Sequence, residues 1–425
     1  MQCFSVVENE HFRRLIIGMQ PSATVMNRKS FVNHLDILYR EQKASLIATL
    51  EKATRVCCTA DCWTASNRVF GEATEPEEDV TQNCITEVLD TAPGACTSEI
   101  HLPRHQRCAA HTLNLVASAD AENACNQLPY GAMAKNVFAK LKCLWRKQAQ
   151  SVQAAEAIKI TLGRQLPVPN ATRWNSLYNA VKFLNEVSKG KLDATFERLS
   201  LPKLQNEELA FIDEYCKTMY GVAKALDILQ GEQYMYMGVL QPTLHSLLRY
   251  QGSLSQMQYC TPLSNALEAG VKKRFSEVLE DKDLALAAAV HPKFKLSWIM
   301  ENERKAATVR LLEEECRALE EHCSEDATGK EDGDEDDFFF HLPQALPSST
   351  EVQQWVSDPA TDLTGLSRFP MIKRIFIRLN TGIPSSAPAE RLFSKGRDVF
   401  AIKRGKLSDD NFEKQLILSY NKYCK

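Results

Sequence analysis

Apolar side chains recur every three or four residues along most of this chain, which is the spacing that places them on one side of an α-helix. Residues 1–55 show this pattern with alternating charges on the other side, and residues 133–160 show it again. Between residues 177 and 313 the helical pattern is almost continuous, and Pro242 and Pro292 mark helix beginnings or breaks. The hydrophobic pattern therefore predicts a mostly helical protein.

One short run has β character instead. The residues Val-Cys-Cys-Thr at 56–59 are followed closely by Asp61 and Trp63. A carboxylate at the end of a central strand is held rigidly at the mouth of a cleft, which is how ribonuclease-H-like folds carry their first metal-binding acid. The alternative is an Asp that caps a turn after a strand, and taken alone the run favours this alternative.

Another ordered pattern lies in residues 384–420. A Pro/Ser/Ala-rich approach precedes a predicted helix, and a basic loop at residues 403–406 separates that helix from a second one. Ser408 is placed to cap the second helix, with Asp409 and Asp410 in its positively polarised first turn. The apolar stripe of this helix consists of Phe412, Leu416 and Tyr420. Such a stripe either closes the core of its own chain or binds another protein surface.

Composition excludes several classes of protein. The chain has 425 residues, of which 44% are hydrophobic, and this suits two or three globular domains or one large interrupted domain. No apolar run is long enough to cross a bilayer, and the N-terminal apolar run contains charges, unlike a signal peptide. The 14 cysteines are scattered without a C-x-x-C pair, which predicts reduced thiols in a nuclear or cytosolic protein.

The net charge of −3 hides an uneven distribution. Residues 320–337 hold ten acids against one lysine, a local charge of −9, so the rest of the chain carries +6. A mildly basic remainder permits nucleic-acid binding without requiring it. Helical periodicity is lost after Glu313, and we expect residues 313–350 to form an acidic disordered loop.

Four motifs occur in an order that resembles the hAT superfamily of transposases and their domesticated descendants. They are Thr-x-Asp-x-Trp-Thr-x-x-Asn at 59–67, Cys-x-x-His-x-Leu-x-Leu at 108–115, Thr-Arg-Trp-Asn-Ser at 172–176 and Glu-Arg-x-Phe-Ser at 390–394. The last motif opens a stretch of nearly forty residues that resembles the C-terminal dimerisation region of the family. The resemblance covers most of the chain.

This resemblance implies an α/β, mostly helical fold, with an incomplete ribonuclease-H-like core interrupted by a large all-α insertion. Its expected segments are an N-terminal helical region (1–55), a truncated first part of the core (56–176), the helical insertion (177–312), the acidic loop (313–350), and the end of the core with the dimerisation region (351–425). In the family a zinc-binding BED finger precedes this arrangement. We expect none here, because no Cys/Cys/His/His set at finger spacing lies before Asp61.

By the same resemblance, Asp61 and Glu390 match the first and last acids of the Asp-Asp-Glu catalytic set of the family. The second acid should end a further strand, but after Asn67 the chain runs into a polar, acidic stretch without strand character. Asp79 and Asp90 are present, yet neither ends an apolar run. Two-metal phosphoryl transfer needs carboxylates that converge on divalent ions about 3.5–4 Å apart. We therefore expect vestigial acids without enzyme activity, and Mg²⁺ or Mn²⁺ as cofactor only if the site is complete.

The resemblance also implies residues that contact nucleic acid. They are Trp63, His111, Arg173, Trp174, Lys403 and Arg404. In the family the residue that matches Trp174 stacks on a base near the cut site, although an aromatic residue here is also typical of a core. His105, Cys108 and His111 leave a zinc site as an alternative, but at these offsets they do not share one face of a helix. We expect no metal site.

Residues 133–160 carry a basic edge, which is either the solvated side of an amphipathic helix or a track for DNA. Its members are Lys140, Lys142, Arg146 and Lys147.

The dimerisation region implies a homodimer. Its expected contact residues are Leu392, Phe393, Leu407, Phe412 and Leu416. The expected function is therefore binding, to a second copy and to DNA or chromatin, in the nucleus and without a membrane. The alternatives are an active hAT-type DNA transposase and a protein-interaction scaffold without DNA binding.

Overall fold

The computed structural model describes residues 4–57, 63–65, 68–70, 106–170, 174–231, 235–254, 257–327, 348–399 and 408–420. These residues are mostly helical, which confirms the prediction from the hydrophobic pattern. In chain order the helices are α1 (Glu10–Met19), α2 (Arg28–Glu51), α3 (Ala109–Leu115), α4 (Tyr130–Gln150), α5 (Val152–Leu162), α6 (Trp174–Glu186), α7 (Lys189–Arg198), α8 (Asn206–Leu229), α9 (Leu240–Ser253), α10 (Thr261–Arg274), α11 (Ser276–Glu280), α12 (Lys282–Ala289), α13 (Asn302–Ala327), α14 (Ser348–Ser357), α15 (Pro370–Asn380), α16 (Ala387–Val399) and α17 (Asp409–Tyr420).

Contacts divide the chain into two compact units. The terminal unit consists of Met1–Gln106 and Ser386–Lys425, and the central unit consists of Arg107–Ser385. The boundaries expected after residues 55, 176, 312 and 350 were derived from sequence motifs and composition, whereas the two units are defined by contacts between residues. The two units therefore do not test those boundaries, which stay a prediction.

Two short strands, β1 (Trp63–Ala65) and β2 (Arg68–Phe70), form an antiparallel pair in the terminal unit. The expectation of a strand over residues 56–59 is wrong at Val56 and Cys57, which lie in no strand. A β-prone run becomes a strand only when another strand pairs with it, and β2 pairs with β1. One such pair does not amount to a ribonuclease-H-like core, which stays an expectation.

Helices α1 and α2 of the terminal unit begin at asparagine caps. Asn9 Oδ1 accepts a hydrogen bond from the Phe12 N–H at 3.1 Å, and Asn27 Oδ1 accepts one from the Ser30 N–H at 2.8 Å. Tyr39 is the buried residue of α2. Helix α2 packs against α17, and α17 packs against α16.

Helix α8 forms the middle of the larger core in the central unit. Apolar residues occupy several of its sides, including the row of Phe211, Tyr215 and Met219, so α8 is surrounded by other helices instead of lying on the surface. Helices α3, α4, α6 and α9 contact it. Phe138 of α4 meets Tyr215 edge to face with 5.2 Å between the ring centroids.

A second core in the central unit surrounds Trp355 of α14. Its side chain is fully buried, and its indole Nε1 donates a hydrogen bond to the Ala289 carbonyl at 2.9 Å. Helix α13 reaches this core through Leu312 and Cys316, with Val309 beside them.

The expectation of a disordered loop over residues 313–350 is therefore wrong at both ends. Residues 313–327 continue α13 and residues 348–350 begin α14, whereas residues 328–347 lie outside the described residues. The acids of α13 occupy positions between the apolar residues that face the core. The acidic composition therefore hides a helical periodicity that the sequence contains. Acidic content was an unreliable guide to order in this segment.

Candidate functional site

The C-terminal stretch consists of two helices, α16 and α17, in the terminal unit. Ser408 caps α17 as predicted, because its Oγ accepts a hydrogen bond from the Asn411 N–H at 3.4 Å. Asp409 and Asp410 are exposed in the first turn, where the partial positive charge of the helix end favours carboxylates. The cap fixes where α17 begins.

The residues expected to mediate dimerisation are only partly enclosed by their own chain. Leu392 and Phe393 of α16, and Phe412 and Leu416 of α17, are half-buried, and Leu407 lies outside the described residues. Because α16 and α17 pack against each other, part of each apolar side chain is used within the unit and part remains in contact with solvent. The arrangement leaves apolar surface that a further contact can cover.

Polar contacts through Glu413 and Lys414 attach α17 to α2. Glu413 Oε1 accepts hydrogen bonds from the Tyr39 hydroxyl at 2.5 Å and from Lys43 Nζ at 3.3 Å. These bonds, the one from Tyr39 above all, hold the pKa of Glu413 below its ordinary value. Lys414 Nζ lies 2.6 Å from Asp410 and 2.9 Å from Asp36, and both carboxylates raise the pKa of Lys414.

The packing of α2 against the C-terminal helix is not predicted by the sequence pattern. The available signal was Tyr39, an amphipathic side chain in the middle of an apolar row of α2, because a buried tyrosine hydroxyl needs a polar partner. That partner is Glu413, which lies 374 positions away along the chain.

Of the proposed catalytic acids, the structure describes Glu390. It is exposed in the first turn of α16, and its Oε1 accepts a hydrogen bond from the Ser386 hydroxyl at 3.1 Å. Asp61, Asp79 and Asp90 lie outside the described residues. Across the described part of the chain, no three His, Cys, Asp or Glu side chains are grouped so that they could hold a metal ion. Glu390 alone does not fit a site for Mg²⁺ or Mn²⁺.

The Cys-x-x-His motif opens helix α3 in the central unit. Cys108 caps the helix, since its Sγ accepts a hydrogen bond from the His111 N–H at 3.5 Å, and it also donates to the Ser385 hydroxyl at 3.8 Å. The Ala109 N–H donates to the Pro384 carbonyl at 2.8 Å. The motif is thus joined to the segment that leads into α16, and the His111 side chain is left exposed to solvent. His105 lies outside the described residues.

The Thr-Arg-Trp-Asn-Ser motif begins helix α6. Trp174 is the first residue of this helix, and Arg173 lies outside the described residues. Asn175 Nδ2 donates to Asp227 Oδ1 of α8 at 2.9 Å. Ser176 Oγ exchanges two hydrogen bonds of 2.8 Å with the backbone of Asn170. The amide and hydroxyl of this motif therefore anchor the start of α6.

The remaining expected nucleic-acid contacts are only partly described. Trp63 begins β1, while Lys403 and Arg404 lie outside the described residues. On the basic edge of α4, Lys140 makes an ion pair with Glu208 of α8 at 2.7 Å, and its side chain is 16% exposed. Lys140 therefore holds two helices together and does not belong to a free basic surface.

No model of a known protein family matches the chain, and no curated protein matches it either. The likeness to hAT proteins consequently rests on the motifs quoted above. None of the helices in the described ranges is both long enough and apolar enough to cross a membrane.

Proposed function

We propose that this protein is a transposase-derived chain that has lost catalysis and forms a homodimer through its C-terminal region, with DNA or chromatin as a further partner in the nucleus. The observation that carries the proposal is the residue pattern itself. Asp61 and Glu390 are retained within their motifs, but in the sequence that follows Asn67 neither Asp79 nor Asp90 ends an apolar run. A chain that keeps the binding motifs and lacks one of three required carboxylates is expected to bind without cleaving.

The partial burial of α16 and α17 supports the dimerisation part of the proposal. In a two-fold symmetric dimer the same surface of each copy meets its counterpart, so a modest apolar area is covered twice. Leu392, Phe393, Phe412 and Leu416 each keep part of their side chain exposed. Covering this area with a second copy removes apolar surface from water, which is the main favourable term in most protein association.

A nicking assay tests the loss of catalysis. Supercoiled plasmid is incubated with the full chain in Mg²⁺ or Mn²⁺, and we expect no cleavage above the level of buffer alone. Cleavage that disappears in both Asp61→Ala and Glu390→Ala, but persists in the control Asp398→Ala, would contradict the proposal. Asp398 is a suitable control because it is an exposed acid on the same helix as Glu390.

The second candidate is an active transposase in which Asp79 or Asp90 takes the place of the missing acid. It predicts cleavage in the same assay and its loss in Asp79→Ala or Asp90→Ala. The third candidate is a scaffold without a DNA role. It predicts weak DNA affinity with little dependence on salt, whereas phosphate binding weakens steeply as salt rises. The retained Trp174 and His111 motifs favour the proposal over the scaffold.

A further inference from the structure

Helix α4 of the central unit has an unusual charge content. Its 21 residues include five basic side chains and no acidic one. Lys140 is neutralised by Glu208, as described above. The other four are exposed: Lys135, Lys142, Arg146 and Lys147.

Three of these bases lie on one side of the helix. At 3.6 residues per turn, Lys142 and Arg146 each project within about 20° of the direction of Lys135. They span eleven positions, which is about 16 Å along the axis. The opposite side of α4 is buried through Val137, Leu141 and other apolar residues. Packing in the core therefore fixes which side of α4 faces water, and we call Lys135, Lys142 and Arg146 the basic face.

The basic face is not neutralised by any carboxylate in the described part of the chain. None of its three side chains makes an ion pair with any residue that the structure describes. Many other exposed bases of the central unit do have carboxylate partners: Lys182 with Glu186, Lys203 with Glu197, Lys217 with Asp213, Lys272 with Glu268, and Arg274 with Asp120. What distinguishes α4 is that three such unpaired bases lie in one row on a helix that contains no acidic residue.

We propose that the basic face of α4 binds the phosphate backbone of double-stranded DNA, independently of base sequence. Charges spread in a line over about 16 Å match a linear polyanion better than a compact anion, which requires converging donors. The exposed residues that lie between or beside the bases, Ala139 and Ala149, are small, so the backbone can approach the helix closely. A helix that binds membrane would instead need large apolar side chains on the contacting face.

This proposal rests on the proposed function, which names DNA as a partner, and assigns the surface that holds it from observations that involve neither the hAT motifs nor the C-terminal region. The phosphate contacts come from Lys and Arg side chains on a helix whose position is set by burial and by the Lys140–Glu208 pair. Contacts of this kind supply affinity and orientation without reading base edges.

The test measures binding of the full chain to a 30-base-pair duplex of arbitrary sequence by fluorescence anisotropy at several salt concentrations. Removal of two phosphate contacts lowers the slope of log affinity against log salt by about 1.8. The double variant Lys142→Ala with Arg146→Ala should show that reduced slope and at least a tenfold weaker affinity at low salt. The double variant Lys224→Ala with Lys273→Ala is the control, since both lysines are exposed on other helices of the same unit. It should bind as the wild type does.

Unchanged affinity and slope in the α4 variant would overturn the proposal, as would equal losses in both variants or a wild-type chain that does not bind DNA. Binding of the wild type to phosphatidylserine vesicles but not to DNA would overturn it in favour of a membrane surface. Helix content by circular dichroism shows that each variant is folded. Molecular mass in solution is measured on the same samples, so a failure of dimerisation is distinguished from a failure of the basic face.

Discussion

Glu208 Oε2 lies 2.7 Å from Lys140 Nζ, and this ion pair joins α8 to α4. The other carboxylate oxygen accepts a hydrogen bond from Asn136 Nδ2 at 2.6 Å, and Oε2 also accepts one from the Gln205 N–H at 2.7 Å. With a side chain that is only 4% exposed, Glu208 has its lone pairs satisfied by the protein. The pair sets the position of the helix that carries the basic face.

Glu208→Ala should lower the free energy of unfolding by about 3 kcal/mol, because it leaves Lys140 without its partner in a largely buried place. The matched control is Glu207→Ala, which removes an exposed acid from the same first turn and should cost less than about 1 kcal/mol. Urea unfolding followed by circular dichroism measures both values. Equal effects of the two substitutions would show that the Glu208 network does not stabilise the helix pair.

His291 predicts a pH dependence of stability. The residue is 7% exposed, and its ring packs on Phe294 with 4.9 Å between the centroids. Burial, with a smaller effect of Lys293, lowers the pKa of His291 from 6.5 to about 4. Between these two pH values the unfolded chain binds a proton that the folded chain does not. As far as it depends on His291, the free energy of unfolding is therefore highest above pH 6.5. It decreases as the pH falls from 6.5 toward 4, by at most about 1.4 kcal/mol per pH unit.

His291→Gln should flatten this dependence over the same pH range, since glutamine does not titrate. His34→Gln is the control, because His34 is exposed on α2, and it should keep the wild-type slope. The measurement is the free energy of unfolding in urea at half-unit pH steps. An unchanged slope in His291→Gln would contradict the account of this buried histidine.

Tyr39→Phe tests how α17 is held on α2. The Tyr39 hydroxyl donates a hydrogen bond to Glu413, which lowers the pKa of Glu413. The stabilisation that this bond gives the folded chain is therefore present above pH 4.5, the ordinary pKa of a glutamate, and is lost as the pH falls through the lowered pKa of Glu413. The variant should melt below the wild type at pH 7, and the difference should shrink as Glu413 becomes protonated. Thermal melts at several pH values check this, with Glu413→Gln expected to remove the pH dependence. A difference that is constant with pH would mean that the hydroxyl does not interact with the charged form.

Local periodicity predicted the helices well, because a helix buries one side by residue spacing alone. Ser408 was likewise readable as a cap, since its contact with Asn411 spans three positions. At residues 313–327 the acidic composition predicted disorder, but the segment is helical. The helical spacing of Leu312 and Cys316 was the better indicator. The sequence pattern also predicted a strand that includes Val56 and Cys57, which lie in none, and it did not predict β1 and β2. Two β-prone triplets separated by two polar residues were the overlooked signal.

Long-range pairs were beyond sequence reasoning. Tyr39 and Glu413 are 374 positions apart, and Lys140 and Glu208 are 68 apart, so no local pattern connects them. For this reason the sequence does not distinguish Lys140, which pairs with Glu208 of α8, from the exposed bases of α4. Motif order did supply a hypothesis about Asp61 and Glu390, but a motif does not establish that two carboxylates converge in space.

The mass of the chain in solution, measured by sedimentation equilibrium, tests the central claim most directly. The wild type is compared with Leu392→Asp with Phe393→Asp, which in a symmetric dimer places four carboxylates at one interface. The control, Ser394→Asp with Arg397→Asp, alters exposed positions of the same helix. We predict a dimeric wild type and control, and a folded monomer for the first variant. A monomeric wild type, or a first variant that stays folded and dimeric, would contradict dimerisation through the C-terminal region.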